Sequence, residues 1–372
     1  SKFGYGNDNV AQLDTVSQPT HRCVTNSVNK ASNKTRQSKL NFQASFDTDF
    51  QWVGPIVEKP ASHLSRFWIQ NMQSLDISDN FLHFRSLLHS LHSWDAEFLA
   101  FTETHLSPYN AYVRENITAS YNLLHPEGSI SYTNTLIAKN NQDTKQYGGV
   151  LSAVNGSLSS RFVKTVNDKY GRYQYSDFYG KDHYLRVYVV YRVCTNNETT
   201  AGDNTAWTDQ KTLLQKNNEK CVELRKHITT TLVKAIKDDI KCKRQVLIIG
   251  DMNENVVDTK GINKQLTEIG LVNVLTAKLP VTENVRTYDR GSKIIDGVWA
   301  TPTVCDHVEN VSLAPFYTEV ESYHRLRSKP LGEWVAPTHQ VWPFQTNTDK
   351  TVIVNKNIHT KRTNTRNVTY RI

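Results

Sequence analysis

The stretch Val246-Leu247-Ile248-Ile249-Gly250-Asp251-Met252-Asn253-Glu254 decides how the rest of the chain reads. Four apolar β-formers run directly into a glycine, an acid and a carboxamide. An apolar run of this length, with charge before it and glycine after it, has the pattern of a buried central strand. Alternation along a strand sets Asp251 and Asn253 on one side, and Gly250 leaves the backbone open to close approach by a substrate. Gly-Asp-x-Asn also makes ordinary turns, so its meaning depends on what surrounds it.

Outward from this strand, helix and strand signals alternate. Residues 205–241 carry a helical pattern in two pieces that leads into the Val246 run, and 184–193 form a long alternating strand before it. Residues 148–154 and 162–166 read as paired strands with a turn at Asn155-Gly156. Nearer the start, 67–72 reads as a strand that carries polar Asn71 near its end. Residues 80–94 read as a helix, with Phe81, Phe84, Leu87, Leu88 and Leu91 at helical spacing, and 97–103 as a second strand ending at Glu103. Residues 294–299 and 308–313 supply further strands. No fixed-period repeat is visible. The mixture implies an α/β sandwich with loops gathered at one rim. Substrate choice would then fall to the longer connections, 105–147, 167–183 and 255–290.

The chain of 372 residues is long enough for one large domain with extensions. Residues 1–65 are rich in Ser, Thr, Asn and Gln and read as a polar extension, 66–330 hold the regular pattern, and 331–372 form a basic extension. The formal charge of +8 sits mostly at that end, where 325–372 carry nine Lys or Arg against two acids. Lys356, Lys361, Arg362 and Arg366 are candidates for contact with nucleic-acid phosphates, against the plain alternative of a solvated tail. Both extensions are also candidates for protein assembly, since such segments bury little apolar surface alone. No apolar run approaches the roughly 20 residues of a membrane helix and no signal peptide opens the chain, so a soluble intracellular protein, nuclear or cytoplasmic, is expected. The five cysteines are scattered and lack metal-like spacing, which favours buried thiols in a reducing compartment and argues against zinc.

Four strand ends offer Asn71, Glu103, Asp251 with Asn253, and Asp296, and a lone His324 follows. Acids and amides converging on one rim suit a hard divalent cation and a phosphodiester. Mg2+ binds carboxylate oxygen and water, a carboxylate aligns or deprotonates the attacking water, and amide or imidazolium donors stabilise charge on phosphoryl oxygens. Singly, each residue has a bland reading: turn formers for Asn71 and Asn253, a surface acid for Glu103, a cap for Asp296, an exposed imidazole for His324. Jointly, and in this order, they argue for chemistry.

In that order the chain resembles the endonuclease/exonuclease/phosphatase superfamily, the fold of deoxyribonuclease-I-like enzymes. Ile69-Gln70-Asn71-Met72 is similar to the first strand's Asn motif, Phe101-Thr102-Glu103-Thr104 to the metal-binding Glu motif, and Gly148-Gly149-Val150 to the Gly-Gly strand. Val190-Tyr191-Arg192 resembles the active-site Tyr strand, Gly250-Asp251-Met252-Asn253 the Asp-x-Asn motif, Ile295-Asp296 the late Ile-Asp strand, and Ser322-Tyr323-His324-Arg325 the terminal Ser-Asp-His motif. Tyr191 to Cys194, Thr200-Ala201-Gly202 and Arg286-Thr287-Tyr288 are closest to retroelement-type endonuclease domains. The resemblance implies a four-layer α/β/β/α sandwich of two mixed β-sheets flanked by helices, with polar N- and C-terminal extensions. It also implies hydrolysis of a phosphodiester in nucleic acid, DNA foremost, with Mg2+ or Mn2+ as cofactor. Glu103 would bind the metal, helped by Asn71. Asp251 would align or deprotonate the water, Asn253 would hold Asp251 and the phosphate, Tyr191 would donate to a phosphate oxygen, and Asp296 would orient His324, whose imidazolium stabilises the transition state.

The match departs at Tyr323, where the family has an Asp before the final His. A phenol, with an ordinary pKa of about 10, is neutral at pH 7, so weaker metal binding or lost turnover is expected. Gln73 supplies no carboxylate either, and Glu321 falls at the wrong strand parity. His339, in Pro337-Thr338-His339, is a weaker alternative for the terminal His. A working endonuclease therefore stands beside a catalytically decayed fold serving as a nucleic-acid-binding or structural assembly protein. A phosphatase acting on inositol lipids or nucleotides is a third reading.

Overall fold

Two strands buried along their whole length, β1 (Ser65–Asn71) and β2 (Ala96–Thr102), lie parallel and are joined by helix α1 (Ser78–Ser93). Parallel neighbours cannot be joined by a tight turn, which is why a helix intervenes. They belong to a computed structural model that describes residues 53–55, 60, 64–137, 142–180, 183–194, 202, 204–219, 223–279, 285–287, 292–314 and 339–344. Alternation along β1 sends Phe67 and Ile69 to one core and Trp68 to another. Trp68 packs with Phe101 of β2 and with the apolar faces of α1 and of α2 (Ala111–Leu124).

Beyond β2, the first sheet continues antiparallel through β4 (Val150–Val154) to β3 (Ser129–Thr133). On the other side of β1 it continues through β12 (His339–Phe344) to β11 (Ser312–Ala314), six strands in all. The second sheet has the order β5 (Phe162–Asn167), β6 (Tyr173–Tyr179), β7 (Tyr184–Tyr191), β8 (Gln245–Asp251), β10 (Asp296–Ala300) and β9 (Val272–Asn273). It too has one parallel pair, β7 with β8, joined through α3 (Ala206–Lys216) and α4 (Leu224–Lys241). The sheets lie face to face, β2 across β7 and β8 and β4 across β6 and β7, with the larger apolar core between them. Helices α1 and α2 cover one outer face and α4 packs on β8 at the other, which is the expected four-layer sandwich. Among the described residues no helix is long and apolar enough to cross a membrane.

Several local expectations change. Strands β4 and β5 do not pair; they belong to different sheets, and a 3-10 turn (Gly156–Arg161) carries the chain between them. The reason is that Asn155 is committed elsewhere. Its side chain donates to Ala96 O at 2.9 Å and its backbone N–H to Glu97 O at 2.9 Å, while Ser157 N–H binds the Glu97 carboxylate at 2.9 Å. The strand expected over 308–313 shrinks to β11, because the chain is still turning after α7 (Pro302–Asp306), with Val308 N–H on Cys305 O at 3.2 Å. The supposed loops contain α2, β3 and β6, and also α5 (Gly261–Glu268) and α6 (Val274–Lys278). For α2 the signals are local ones, Val113, Ile117 and Tyr121 on one face and an Asn110 cap accepting from Val113 N–H at 3.0 Å.

The folded body is wider than residues 66–330. Val53 and Leu313 exchange backbone hydrogen bonds of 3.0 and 2.9 Å, and β12 lies beyond residue 330. Cys305 is buried as expected, but Cys194 and Cys242 are exposed. Glu321, Tyr323, His324, Lys356, Lys361, Arg362 and Arg366 lie outside the described residues.

Candidate active site

Strands β1, β2, β7 and β8 all end, and β10 begins, at one rim, the position where α/β sheets place ligand-binding loops. Asp251 is the last residue of β8 and is 1 % exposed. Register sets Tyr191 beside it on β7 and Asp296 beside it on β10. From the facing sheet, Asn71 Nδ2 donates to Asp251 Oδ2 at 2.8 Å. The Asn71 carboxamide and the Tyr191 phenol also lie near enough to Glu103 to lower its pKa against the rise from burial, so the carboxamide stands between two acids. Its own Oδ1 accepts from Gln73 N–H at 3.0 Å, so Asn71 acts here mainly as a donor that holds carboxylates.

Asn253 is tied in at every polar group. Its N–H donates to Asp251 Oδ1 at 2.7 Å, and Nδ2 donates to Asp251 Oδ2 at 3.0 Å and to Arg192 O at 2.8 Å. Its Oδ1 accepts from Cys194 Sγ at 3.0 Å and its carbonyl from Arg225 at 3.0 Å. With both amide hydrogens engaged, Asn253 holds Asp251; a phosphate contact would require it to release one. The side chains of Asp251 and Asn253 meet, but through a left-handed turn at Asn253 (φ 47°) and not by strand alternation.

The electrostatics are those of crowded anions. Burial first, then the charges of Asp296 and Glu103, push Asp251 well above the ordinary carboxylate range, against hydrogen bonds from Asn253 and Asn71 that pull it down. Burial likewise raises Glu103, opposed by the nearby Tyr191 and Asn71 donors. Tyr191 is pushed up by burial and by Glu103, so it stays a phenol and a donor.

Backbone strain gathers at the same rim. Glu103 (φ 50°), His105 (φ 55°) and Gln73 (φ 47°) are all left-handed, a region that costs a non-glycine residue about 1–3 kcal/mol. The segment is held there by Ser74 N–H on Glu103 O at 2.9 Å and His105 N–H on Gly148 O at 2.8 Å. Gly250 is needed for a reason other than substrate access. At φ 141° a Cβ there would lie 2.0 Å from Val190 O of β7, so the close approach is between strands.

Fold and rim together define the class: the chain has the fold of the endonuclease/exonuclease/phosphatase superfamily. It is similar to the AP endonuclease LMAP from Leishmania major, with a TM-score of 0.53 at 11% identity over 84% of this chain and 97% of that one. It is also similar to the APE2 catalytic domain of Xenopus laevis, with a TM-score of 0.50 at 12% identity over 76% and 94%. No family model and no curated protein matches the sequence.

Sequence reasoning missed the scaffold behind Asp251. Arg225, at the start of α4, donates to Val193 O at 2.7 Å as well as to Asn253 O, and shares the Glu254 carboxylate with Arg192. Arg192 and Glu254 stand beside the motif residues in the sequence, which is a signal of sorts. Arg225 is remote in sequence and gave none. For the terminal imidazole, backbone pairing places His339 opposite Gln70, one residue before Asn71.

Proposed function

We propose that this protein is a divalent-cation-dependent phosphodiesterase that cleaves nucleic acid, DNA foremost, within the strand. The observation that carries this is the convergence of Glu103, Asp251 and Asp296 at one rim, with the Asn71 carboxamide bound to Asp251 and, like the Tyr191 phenol, beside Glu103. Neighbouring carboxyl groups, two of which, Asp251 and Glu103, are raised by burial, call for a cation. Mg2+ or Mn2+ fits in kind, since such ions are commonly held by one or two carboxylates, with water and substrate phosphate completing the shell. Glu103 would hold it, with Asn71 contributing the second lone pair of its oxygen. Among the described residues no group of three His, Cys, Asp or Glu side chains is placed to hold a metal ion, so water and substrate phosphate would have to supply most of the shell. When bound, such an ion neutralises charge building on the phosphoryl oxygens.

The chain's own groups supply the rest. Asp251 takes a proton from the attacking water, its raised pKa making it the stronger base. The new phosphorus–oxygen bond forms as the bond to the leaving nucleotide breaks, and the leaving oxygen takes a proton from solvent. Asn253 and Asn71 keep Asp251 aimed, and the Tyr191 phenol stands beside Glu103 as a donor. We assign the terminal imidazole to His339, on the backbone position of β12 beside β1, in preference to His324. The residue before it is then Thr338, which supplies no carboxylate either, so weaker cation binding is the expected consequence. The retroelement-type likeness rests on sequence motifs alone and stays a proposal.

The test is nicking of supercoiled plasmid with Mg2+ or Mn2+. Glu103→Gln is expected to abolish it. Saturating Mg2+ is also expected to raise the Tm of the native protein by about 5 °C and that of Glu103→Gln by none. An equal rise in both would place the ion elsewhere, and cleavage unaffected by the substitution would remove Glu103 from the site.

A nucleic-acid substrate in preference to a small phosphate ester is favoured by Tyr147. It is 49% exposed, its ring meets His105 edge-on at 5.0 Å between centroids, and the next residue, Gly148, would place a Cβ 3.5 Å from Tyr191 Cε1. An aromatic ring at the lip of the site is a stacking surface for a base, worth about 1–3 kcal/mol. Tyr147→Ala is expected to raise KM for DNA by roughly tenfold and to leave hydrolysis of bis(p-nitrophenyl) phosphate unchanged. Equal losses on both substrates would rule out a base contact.

A further inference from the structure

We propose that Cys194 is a positioning residue: its thiol, with the Arg225 guanidinium behind it, holds the Asn253 carboxamide in the orientation that fixes Asp251. A carboxamide can turn over, exchanging its oxygen and nitrogen, and its neighbours decide which way it sits. Here two of the three neighbours, Arg192 O and Asp251 Oδ2, are acceptors at 2.8 and 3.0 Å, and they require the nitrogen. The third must then donate, and Cys194 Sγ does so at 3.0 Å to Oδ1. The thiol remains a donor, because local burial and the Asp251 and Glu103 carboxylates push it up to about 12.

A separate observation fixes the distance across which this bond is made. Arg225 binds the carbonyl of Val193, the residue before Cys194, at 2.7 Å and the carbonyl of Asn253 itself at 3.0 Å. One guanidinium therefore ties together the two segments that carry donor and acceptor. Asn253 sits in a left-handed turn that its own backbone does not favour, so outside anchors are needed to hold it.

The catalytic consequence rests on the nuclease reading above; the contact does not. Cys194→Ala is expected to lower kcat for plasmid nicking about three- to tenfold, as loss of one hydrogen bond would, with KM little changed. Cys194→Ser, which keeps a donor, is expected to recover most of the loss, and Cys242→Ala, the other exposed thiol among the described residues, to have no effect. Equal losses in Ala and Ser variants, or none in Ala, would overturn the positioning role. The contact is read independently from the infrared S–H stretch, assigned to Cys194 by its disappearance in Cys194→Ser. In Asn253→Gly, which tolerates the left-handed backbone and lacks the carboxamide, the band is expected to move to higher frequency as the hydrogen bond is lost. A band that stays put would overturn the proposal. A native protein that nicks nothing, with a band that shifts, would instead sink the nuclease reading and leave the contact standing.

Discussion

Replacement of Asp251 by Asn is expected to lower plasmid cleavage by about a thousandfold, within the range of 10²–10⁴ for loss of a general base, while the Mg2+-dependent rise in Tm persists through Glu103. Asn has nearly the shape of Asp but accepts no proton. Two effects on stability oppose one another. The substitution relieves repulsion from Asp296 and Glu103, but it turns an amide nitrogen toward one of the donors now bound to the carboxylate, Asn71 Nδ2, Asn253 Nδ2 or Asn253 N–H. A small change in Tm with a large change in kcat is the expected signature. The native pH profile carries the same information. In the cation-free protein the folded-state pKa of Asp251 lies above the ordinary carboxylate value, which opens a pH window between the two. In the absence of cation, stability is lost across that window as the buried carboxylate ionises. Cleavage by Asp251→Asn within tenfold of the native rate would mean that another group handles the water.

His339→Ala is expected to cost about 10²–10³ in kcat, the usual effect of removing a preorganised donor to the transition state, whereas His324→Ala is expected to stay within about threefold. The argument is one of backbone position at the strand end. Strand β12 runs antiparallel to β1, so its first residue lies at the end of β1, with His339 opposite Gln70 and Asn71 next in line. The same residue pairs with Ala314 of β11. Asp296 begins β10 at the corresponding rim of the other sheet. His339→Gln, which keeps the bulk and a donor, guards against a merely unfolded variant and is expected to lose nearly as much. If His324→Ala inactivates and His339→Ala does not, the assignment reverses.

Much of the rim was legible in the sequence because it is written locally. Buried strands show as apolar runs, and a polar residue where such a run stops marks its end, as with Asn71, Glu103 and Asp251. What misled was inference about partners. Asn155-Gly156 has the residues of a hairpin turn, yet Asn155 binds Ala96 and Glu97 on another strand and the expected pair is split between sheets. Gly250 looked like an opening for substrate, and the residue that requires it is Val190 on a neighbouring strand. The last strand was hidden in a stretch that composition marks as a basic tail, since a six-residue strand containing Pro343 carries little pattern of its own.

The sequence by itself determined which segments are buried, where the strands end and which polar residues stand at those ends, because burial and alternation depend on residues near one another in the chain. Only the tertiary structure decided that Asn71 and Asp251 meet across two sheets, that Asn253 takes its orientation from Cys194 and Arg225, and that β12 brings His339 to the end of β1. Those are pairings between distant residues, and strand partners, like hydrogen-bond partners, are chosen by whatever the whole fold brings within reach.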